Sequence, residues 1–367
     1  MDLTIQKELL LNGIQIIQNA ISQKSNMPIL SNVLFESTGT ELKLTATDLE
    51  LGICTKIPVL VGQEGAITIP AKKFFDIIKA LPDNIEVEIS LKKNNSITIK
   101  GGNAVFKIIG LPKEEFPTLP LFEDKDAITI SKSIFKEMIN LTDFSVSKED
   151  SRHVLTGVLL SVKQDVIKMV STDGRRMAAA TKKIPLKTLI ERNAIIPLKA
   201  VLEIKRLLND DGDLKILFSN NQILFSFSST YIISRIIEGE FPDFEKVIPE
   251  KTKKIVSIQK EDFLNAVKRV SIFTDQDSQA VKIEIQKNKM TISKNTPYLG
   301  EAREEIAVDF SGDKEIQIGF NPRYLIDVLK VLGEEFVEME ISDPTKPGVI
   351  RKQEEYVYVV LPMQVVG

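Results

Sequence analysis

The chain holds a single histidine, His153, and a single cysteine, Cys54. Metal sites made of imidazoles or thiolates need several such ligands. A serine triad would need His153 beside a nucleophile turn, and its surroundings, DSRHVLTGVLL, contain none. His153 therefore reads as a loop histidine ahead of a strand. Cys54 lies in the strand-like LELGICTKIPV, excludes an internal disulfide and reads as a small buried apolar residue. The carboxylates of NDDGD, Asp210, Asp211 and Asp213, lack the later glycine and glutamate of a calcium loop, so a helix-ending turn explains them better. Thr47-Asp48 and Thr172-Asp173 recur at corresponding places and read as shared turn geometry. No glycine-rich loop matches a phosphate or dinucleotide cradle. The chemistry left is binding by cations and apolar surfaces, with no cofactor, metal or catalysis expected.

The net charge of −3 is unevenly spread. Six stretches with helical spacing, roughly 7 to 20, 70 to 80, 131 to 146, 197 to 208, 259 to 272 and 320 to 332, carry about +6 in total, which leaves about −9 elsewhere. In KKFFDIIKAL, Phe74, Ile77, Ile78 and Leu81 form the apolar face, with Lys72, Lys73, Asp76 and Lys79 on or beside the opposite one. In LKAVLEIKRLL, Val201, Leu202, Ile204, Leu207 and Leu208 form the packing side, with Lys199, Glu203 and Arg206 away from it. Basic faces without aromatic residues suit the phosphates of a duplex better than stacked single strands.

These helices sit in a threefold repeat. A short strand followed by a helix opens each copy, at Asp2, Ala127 and Ile255, and a second strand and helix follow from Ala66, Ala194 and Ile316. Midpoints match loosely at LTATDLELG, MVSTDGRRM and TISKNTPYL, and the linkers EEFPTLP and GEFPDFEKVIP share wording. Each copy reads βαβββ twice, which predicts an α+β fold with antiparallel sheets covered by helices on one face. Boundaries fall at 1–122, 123–249 and 250–367. No apolar run reaches the length of a membrane span, and MDLTIQKELL lacks the basic segment and apolar core of a signal peptide, so a soluble, cytoplasmic protein is expected.

Seven segments in order, MPILSNVLFE, LTATDLELG, IPAKKFFDIIKALP, STDGRRMA, EGEFPDFEKVIP, GFNPRYLIDVL and YVVLPMQV, give the chain an end-to-end resemblance to the bacterial DNA polymerase III β subunits, the replicative sliding clamps. The resemblance implies three clamp domains per chain in a ring-shaped, head-to-tail homodimer, with helices on the inner face and sheets outside. It also implies a processivity factor that encircles double-stranded DNA without sequence preference in the bacterial cytoplasm, at the nucleoid. Geometry favours two chains. With helices about 10 Å apart and two per domain facing inward, three domains leave an opening of about 9 Å and six leave roughly 28 Å. A duplex roughly 20 Å across fits only the larger.

Residues follow from the same resemblance. Lys24, Lys72 and Lys199 match basic DNA-facing positions, to which the helix faces add Lys73, Lys205, Arg206, Lys268 and Arg323. His153 stands where the family often has an aromatic DNA contact. A pocket for short peptide motifs of the polymerase III alpha subunit, the clamp loader, other polymerases and repair proteins would comprise Leu155, Thr172, Gly174, Arg176, Met177, Pro242, Val247, Asn321, Tyr324, Val360, Leu361, Pro362 and Met363. Arg175, Lys246 and Gln364 belong to it as departures, at positions where the family commonly has histidine, arginine and arginine. Phe106 and Ile108 would meet Ile272 and Phe273 across the dimer contact. The rival reading is a three-domain peptide-binding scaffold that never encircles DNA.

Overall fold

A computed structural model describes residues 1–22, 27–120, 127–185, 191–275, 279–312 and 314–364. The first copy begins with β1 (Asp2–Gln6), α1 (Lys7–Ile17), β2 (Asn32–Thr38), β3 (Glu41–Thr47), β4 (Leu51–Pro58) and its short continuation β5 (Leu60–Gln63). Its second half is β6 (Gly65–Pro70), α2 (Ala71–Ala80), β7 (Glu86–Leu91), β8 (Ser96–Gly101) and β9 (Ala104–Ile109). The second copy runs β10 (Ile128–Ser131), α3 (Lys132–Thr142), β11 (Gly157–Lys163), β12 (Val166–Thr172) and β13 (Arg176–Lys183). It continues with β14 (Glu191–Pro197), α4 (Leu198–Leu207), β15 (Asp213–Phe218), β16 (Gln222–Phe227) and β17 (Thr230–Arg235). The third runs β18 (Ile255–Gln259), α5 (Lys260–Val270), β19 (Val281–Gln286), β20 (Lys289–Thr296) and β21 (Gly300–Phe310). It ends with β22 (Ile316–Phe320), α6 (Pro322–Val331), β23 (Phe336–Glu340), β24 (Gly348–Lys352) and β25 (Tyr356–Val360). Every half is βαβββ, the grammar its sequence predicts.

The chain gathers into two compact units, Met1–Phe135 with Leu202–Ile236, and Lys136–Val201 with Ile237–Gly367. The first contains a five-stranded sheet, β5-β1-β7-β8-β9, and an eight-stranded sheet, β10-β15-β16-β17-β4-β3-β2-β6. The second contains one sheet of twelve strands, β14-β11-β12-β13-β25-β24-β23-β18-β21-β20-β19-β22. Pairing is antiparallel throughout. The middle copy is shared between the units because its sheets run on into its neighbours': β17 pairs with β4, placing Ile233 opposite Gly52, and β13 pairs with β25, placing Met177 opposite Val359.

Helix amphipathicity positions the rest. Leu10, Ile14 and Ile17 of α1 are buried, as are Phe74, Ile77 and Ile78 of α2, and Phe74 meets Phe35 edge to face with centroids 5.0 Å apart. Lysine opens the first helix of every copy, against the preference of a helix N-terminus for anions. Each ammonium reaches groups at or just beyond the C-terminus of that copy's second helix. Lys7 donates to the Leu81 carbonyl and to Asp83 at 2.7 Å, Lys132 to Asp210 at 3.0 Å, and Lys260 to the Leu332 carbonyl at 3.0 Å. The positive end of one helix thus supplies a cap for the negative end of another. Lys132 also holds the Asp210 carboxyl below the usual carboxylate range, and the NDDGD turn is the helix ending that its spacing suggests.

One predicted face is corrected. On α4, Leu202 is 45% exposed, while Glu203 is buried and accepts from Asn19 at 2.6 Å and from Arg206 at 2.8 Å. The neighbour that sets this face is the end of α1, 184 residues away in sequence from Glu203, so the helix's own periodicity does not report it. No helix among the described residues is long and apolar enough to cross a membrane.

Candidate functional site

The junction of β13 with β25 builds the principal site. The turn before β13 is fixed by its own polar groups. The Asp173 carboxylate accepts from the backbone N–H of Arg175 and Arg176 at 2.9 and 3.0 Å, and Thr172 accepts from Gly174 N–H at 3.0 Å. Gly174 sits at φ +84°, and a Cβ there would lie 2.5 Å from the Arg152 guanidinium. That backbone conformation favours glycine.

Beside this turn lies a largely apolar pocket of about 250 Å³ lined by Arg152, Leu155, Thr172, Gly174, Arg175, Arg176, Met177, Pro242, Asp243, Phe244, Val247, Val359 and Leu361. A larger and more polar cavity of about 730 Å³ shares Arg152, Arg175 and Arg176 with it and extends to Ser147, Asn321, Arg323, Tyr324, Asp327 and Lys330. The linker after Ile237 supplies one wall, since Phe241, Phe244 and Ile248 pack on the cluster of Leu159, Val170, Met177 and Val359.

Arg176 is the keystone. Its side chain is 6% exposed, pairs with Asp173 at 3.1 Å and Asp327 at 2.7 Å, donates to the Phe144 carbonyl at 2.6 Å and lies 4.5 Å over the Tyr324 ring. Burial alone would lower its pKa, but the neighbouring Tyr358, Asp327 and Asp173 outweigh that and raise it. Its polar capacity is committed to the scaffold, so it braces the pocket wall.

Of the sequence-predicted set, Leu155, Thr172, Gly174, Arg175, Arg176, Met177, Pro242, Val247 and Leu361 line the small pocket. Val360 does not. Alternation along β25 turns Val359 and Leu361 to the pocket and buries Val360 on the other face. Asn321 and Tyr324 line the larger cavity, where Asn321 also caps α6 by accepting from Arg323 N–H at 3.0 Å. Lys246 points away and pairs with Asp243 at 2.8 Å, leaving Asp243 as the lining residue. Pro362, Met363 and Gln364 lie outside the lining, and Met363 N–H donates to the Gly319 carbonyl at 2.8 Å. Sequence reasoning missed Arg152, Asp243, Phe244 and Val359. The shared linker wording was the signal for Phe244, because Leu119 occupies the same place in EEFPTLP.

Among the cations, Lys72 and Lys73 are exposed on α2, Lys199 on α4 and Lys268 on α5, while Lys205 is half-buried on α4. Arg206 is half-buried on α4 and, besides pairing with Glu203, donates to the Gln15 and Ile16 carbonyls of α1 at 3.2 and 2.8 Å. Arg323 lines the larger cavity. Lys24 lies outside the described residues. His153 is exposed in the turn before β11. Cys54 is buried in β4, and burial pushes its thiol up. Among the described residues no cluster of His, Cys, Asp or Glu could hold a metal ion.

Two of the open strand edges carry or adjoin the residues predicted for the dimer contact. β9 pairs only with β8, and it carries Phe106 and Ile108, half-buried, between Val105 and Ile109, 57% and 65% exposed. β21 pairs with β20 on one side over Gly300–Ala307 and meets β18 only at Val308–Phe310. Near that edge lie Phe273, 3.3 Å from where a Cβ on Gly300 would sit, and Ile272, 75% exposed.

Three family models match the chain in order: DNA polymerase III beta subunit, N-terminal domain, over residues 1–120, its central domain over 129–243, and its C-terminal domain over 245–364. The beta sliding clamp of Chlamydia muridarum is 33% identical over 364 residues, covering 99% of both chains. The DNA polymerase sliding clamp of Bacillus subtilis superposes with a TM-score of 0.96 at 30% identity over 100% of both chains. The sliding clamp of Pseudomonas aeruginosa bound to griselimycin gives 0.95 at 31% identity, again over 100% of both.

Proposed function

The chain belongs to the DNA polymerase III beta subunit family, and from that premise we propose that two copies close head to tail into a ring around duplex DNA, with the pocket beside Thr172 docking peptides of its partners. It is a DNA sliding clamp for the replicative polymerase, a non-catalytic factor whose partners include DNA, the polymerase and a second copy of itself.

One observation carries the ring. In the first and second copies the fourth strand of the first half, β4 or β13, pairs with the last strand of the following copy, β17 or β25. In the third copy the corresponding strand, β21, has no such partner among the described residues, and the unmatched last strand is β9 of the first copy. A second chain completes the series, β21 of one meeting β9 of the other. Open strand edges are otherwise an aggregation liability. Chemistry agrees: Lys107 lies on β9 and Glu301 on β21, with Phe106, Ile108, Ile272 and Phe273 supplying apolar area.

A ring holds DNA by topology, so its cations need only follow phosphates loosely; Lys72, Lys73, Lys199, Lys205 and Lys268 suit that role. Domains at 1–122, 123–249 and 250–367 each contribute two helices to the opening. The small pocket takes apolar anchors of clamp-loader, polymerase and repair-protein peptides against Met177, Val247, Val359 and Leu361, and the protein acts in the cytoplasm at the nucleoid.

The test is retention. Loaded on a nicked circular plasmid, the protein stays bound through a high-salt wash and is released when the plasmid is linearised. Equal retention on both forms refutes enclosure and favours the scaffold reading.

A further inference from the structure

The β4–β17 junction reproduces the β13–β25 junction hydrogen bond by hydrogen bond. The Asp48 carboxylate accepts from Glu50 and Leu51 N–H at 3.0 and 2.7 Å, as Asp173 does from Arg175 and Arg176. Thr47 accepts from Leu49 N–H at 3.0 Å, as Thr172 does from Gly174. Arg235 N–H donates to the Glu50 carbonyl at 2.8 Å, where Leu361 N–H donates to Arg175 at 2.9 Å. A cavity of about 270 Å³ lies in the same place, walled by Gly52, Ile233 and the linker residues Pro117 and Leu119, the counterparts of Met177, Val359, Pro242 and Phe244.

Two differences give this cavity its own chemistry. Leu49 stands at φ +77° where the other junction has glycine at +84°, and its side chain is 46% exposed at the cavity mouth. A leucine is disfavoured in that conformation, and this one adds nothing to the core. The rim carries Glu50 where the other site has Arg175, and Arg235 where it has Leu361. Neither Glu50 nor Arg235 has a side-chain ion pair among the described residues.

We propose that this cavity, at the first of the two junctions, is itself a docking pocket, for a short extended peptide whose apolar anchor is flanked by one basic and one acidic residue. The anchor rests on Leu49, Leu119 and Ile233, the base meets Glu50 and the acid meets Arg235. The assignment rests on the reading that the β13–β25 pocket docks peptides, and it adds a different selectivity: Arg152 and Arg175 repel a basic flank that Glu50 accepts.

The test is one titration of the full-length protein, methyl-labelled at Ile, Leu, Val and Met, with the peptide acetyl-Lys-Leu-Phe-Asp-amide. Leu49 and Ile233 report the first pocket; Met177, Val247 and Val359 report the second. We expect saturable shifts at Leu49 and Ile233. Replacing the peptide lysine by glutamate weakens that response at least about fivefold while strengthening the one at the second pocket. Glu50→Arg reverses the first pocket's preference, and Gly52→Met, whose Cβ would come 2.9 Å from Leu119, abolishes its response. If Gly52→Met disturbs the fold, the surface change Arg235→Glu carries the same test through the peptide's aspartate. Shifts confined to the second pocket overturn this proposal and leave the docking function standing. Silence at both pockets, with the lysine and the glutamate peptide alike, overturns both. Shifts at Leu49 and Ile233 that follow protein concentration without peptide assign the cavity to a second copy of the chain and also overturn the proposal.

Discussion

The two internal junctions share a backbone and differ in what fills it. At β13–β25 an arginine, Arg176, occupies the position that Leu51 holds at β4–β17, and both are buried. The leucine is satisfied by contact alone. The arginine has Asp173, Asp327 and the Phe144 carbonyl around it, and Asp173 and Asp327 line the large polar cavity beside the apolar one. One frame therefore supports a single small cavity at the first junction and two adjoining cavities at the second, through a handful of side chains.

Exchanging those side chains tests the comparison most severely. Arg176→Leu places the first junction's residue in the second and leaves Asp327 without its buried partner; we expect a loss of about 3 kcal/mol in urea unfolding. A loss under about 1 kcal/mol would mean the acids are solvated enough to stand alone. The intermolecular junction comes next. Phe106→Arg or Ile272→Arg should weaken the dimer about a hundredfold, close to 2.7 kcal/mol, measured by sedimentation, while the β13–β25 pocket still binds peptide. Gly174→Leu forces leucine into the left-handed conformation against Arg152, and a destabilisation of about 1–2 kcal/mol is expected. The reverse exchange, Leu49→Gly, relieves that conformation but adds flexibility to the unfolded chain, so thermal stability should rise by less than about 0.5 kcal/mol. A clear loss instead would show that Leu49 holds the fold together.

Much of this architecture is legible in the sequence, because each helix declares its apolar face at i, i+3, i+4 and each copy repeats the declaration. Phe74, Ile77 and Ile78 are buried where that spacing puts them. What stays hidden depends on partners from elsewhere in the chain. Glu203 looks solvent-facing until Asn19 reaches it. In Tyr358-Val359-Val360-Leu361 every residue but one is aliphatic, so hydrophobicity cannot tell which side of the strand meets the pocket; only the pairing of Val359 with Met177 sets the phase. Arg152 lies in an irregular turn whose conformation no periodicity encodes. The linker residue Phe244 was within reach, since two linkers with matching wording invite matching roles.

The lysine that opens each copy's first helix leaves a built-in clock. The side chains of Lys7, Lys132 and Lys260 are only 5%, 3% and 16% exposed, each with its ammonium held inside its own copy. An amine reagent reaches such a group chiefly when the surrounding structure opens. The three labelling rates, read separately by mass spectrometry, therefore time the opening around each of these lysines in one intact chain and without any engineered substitution.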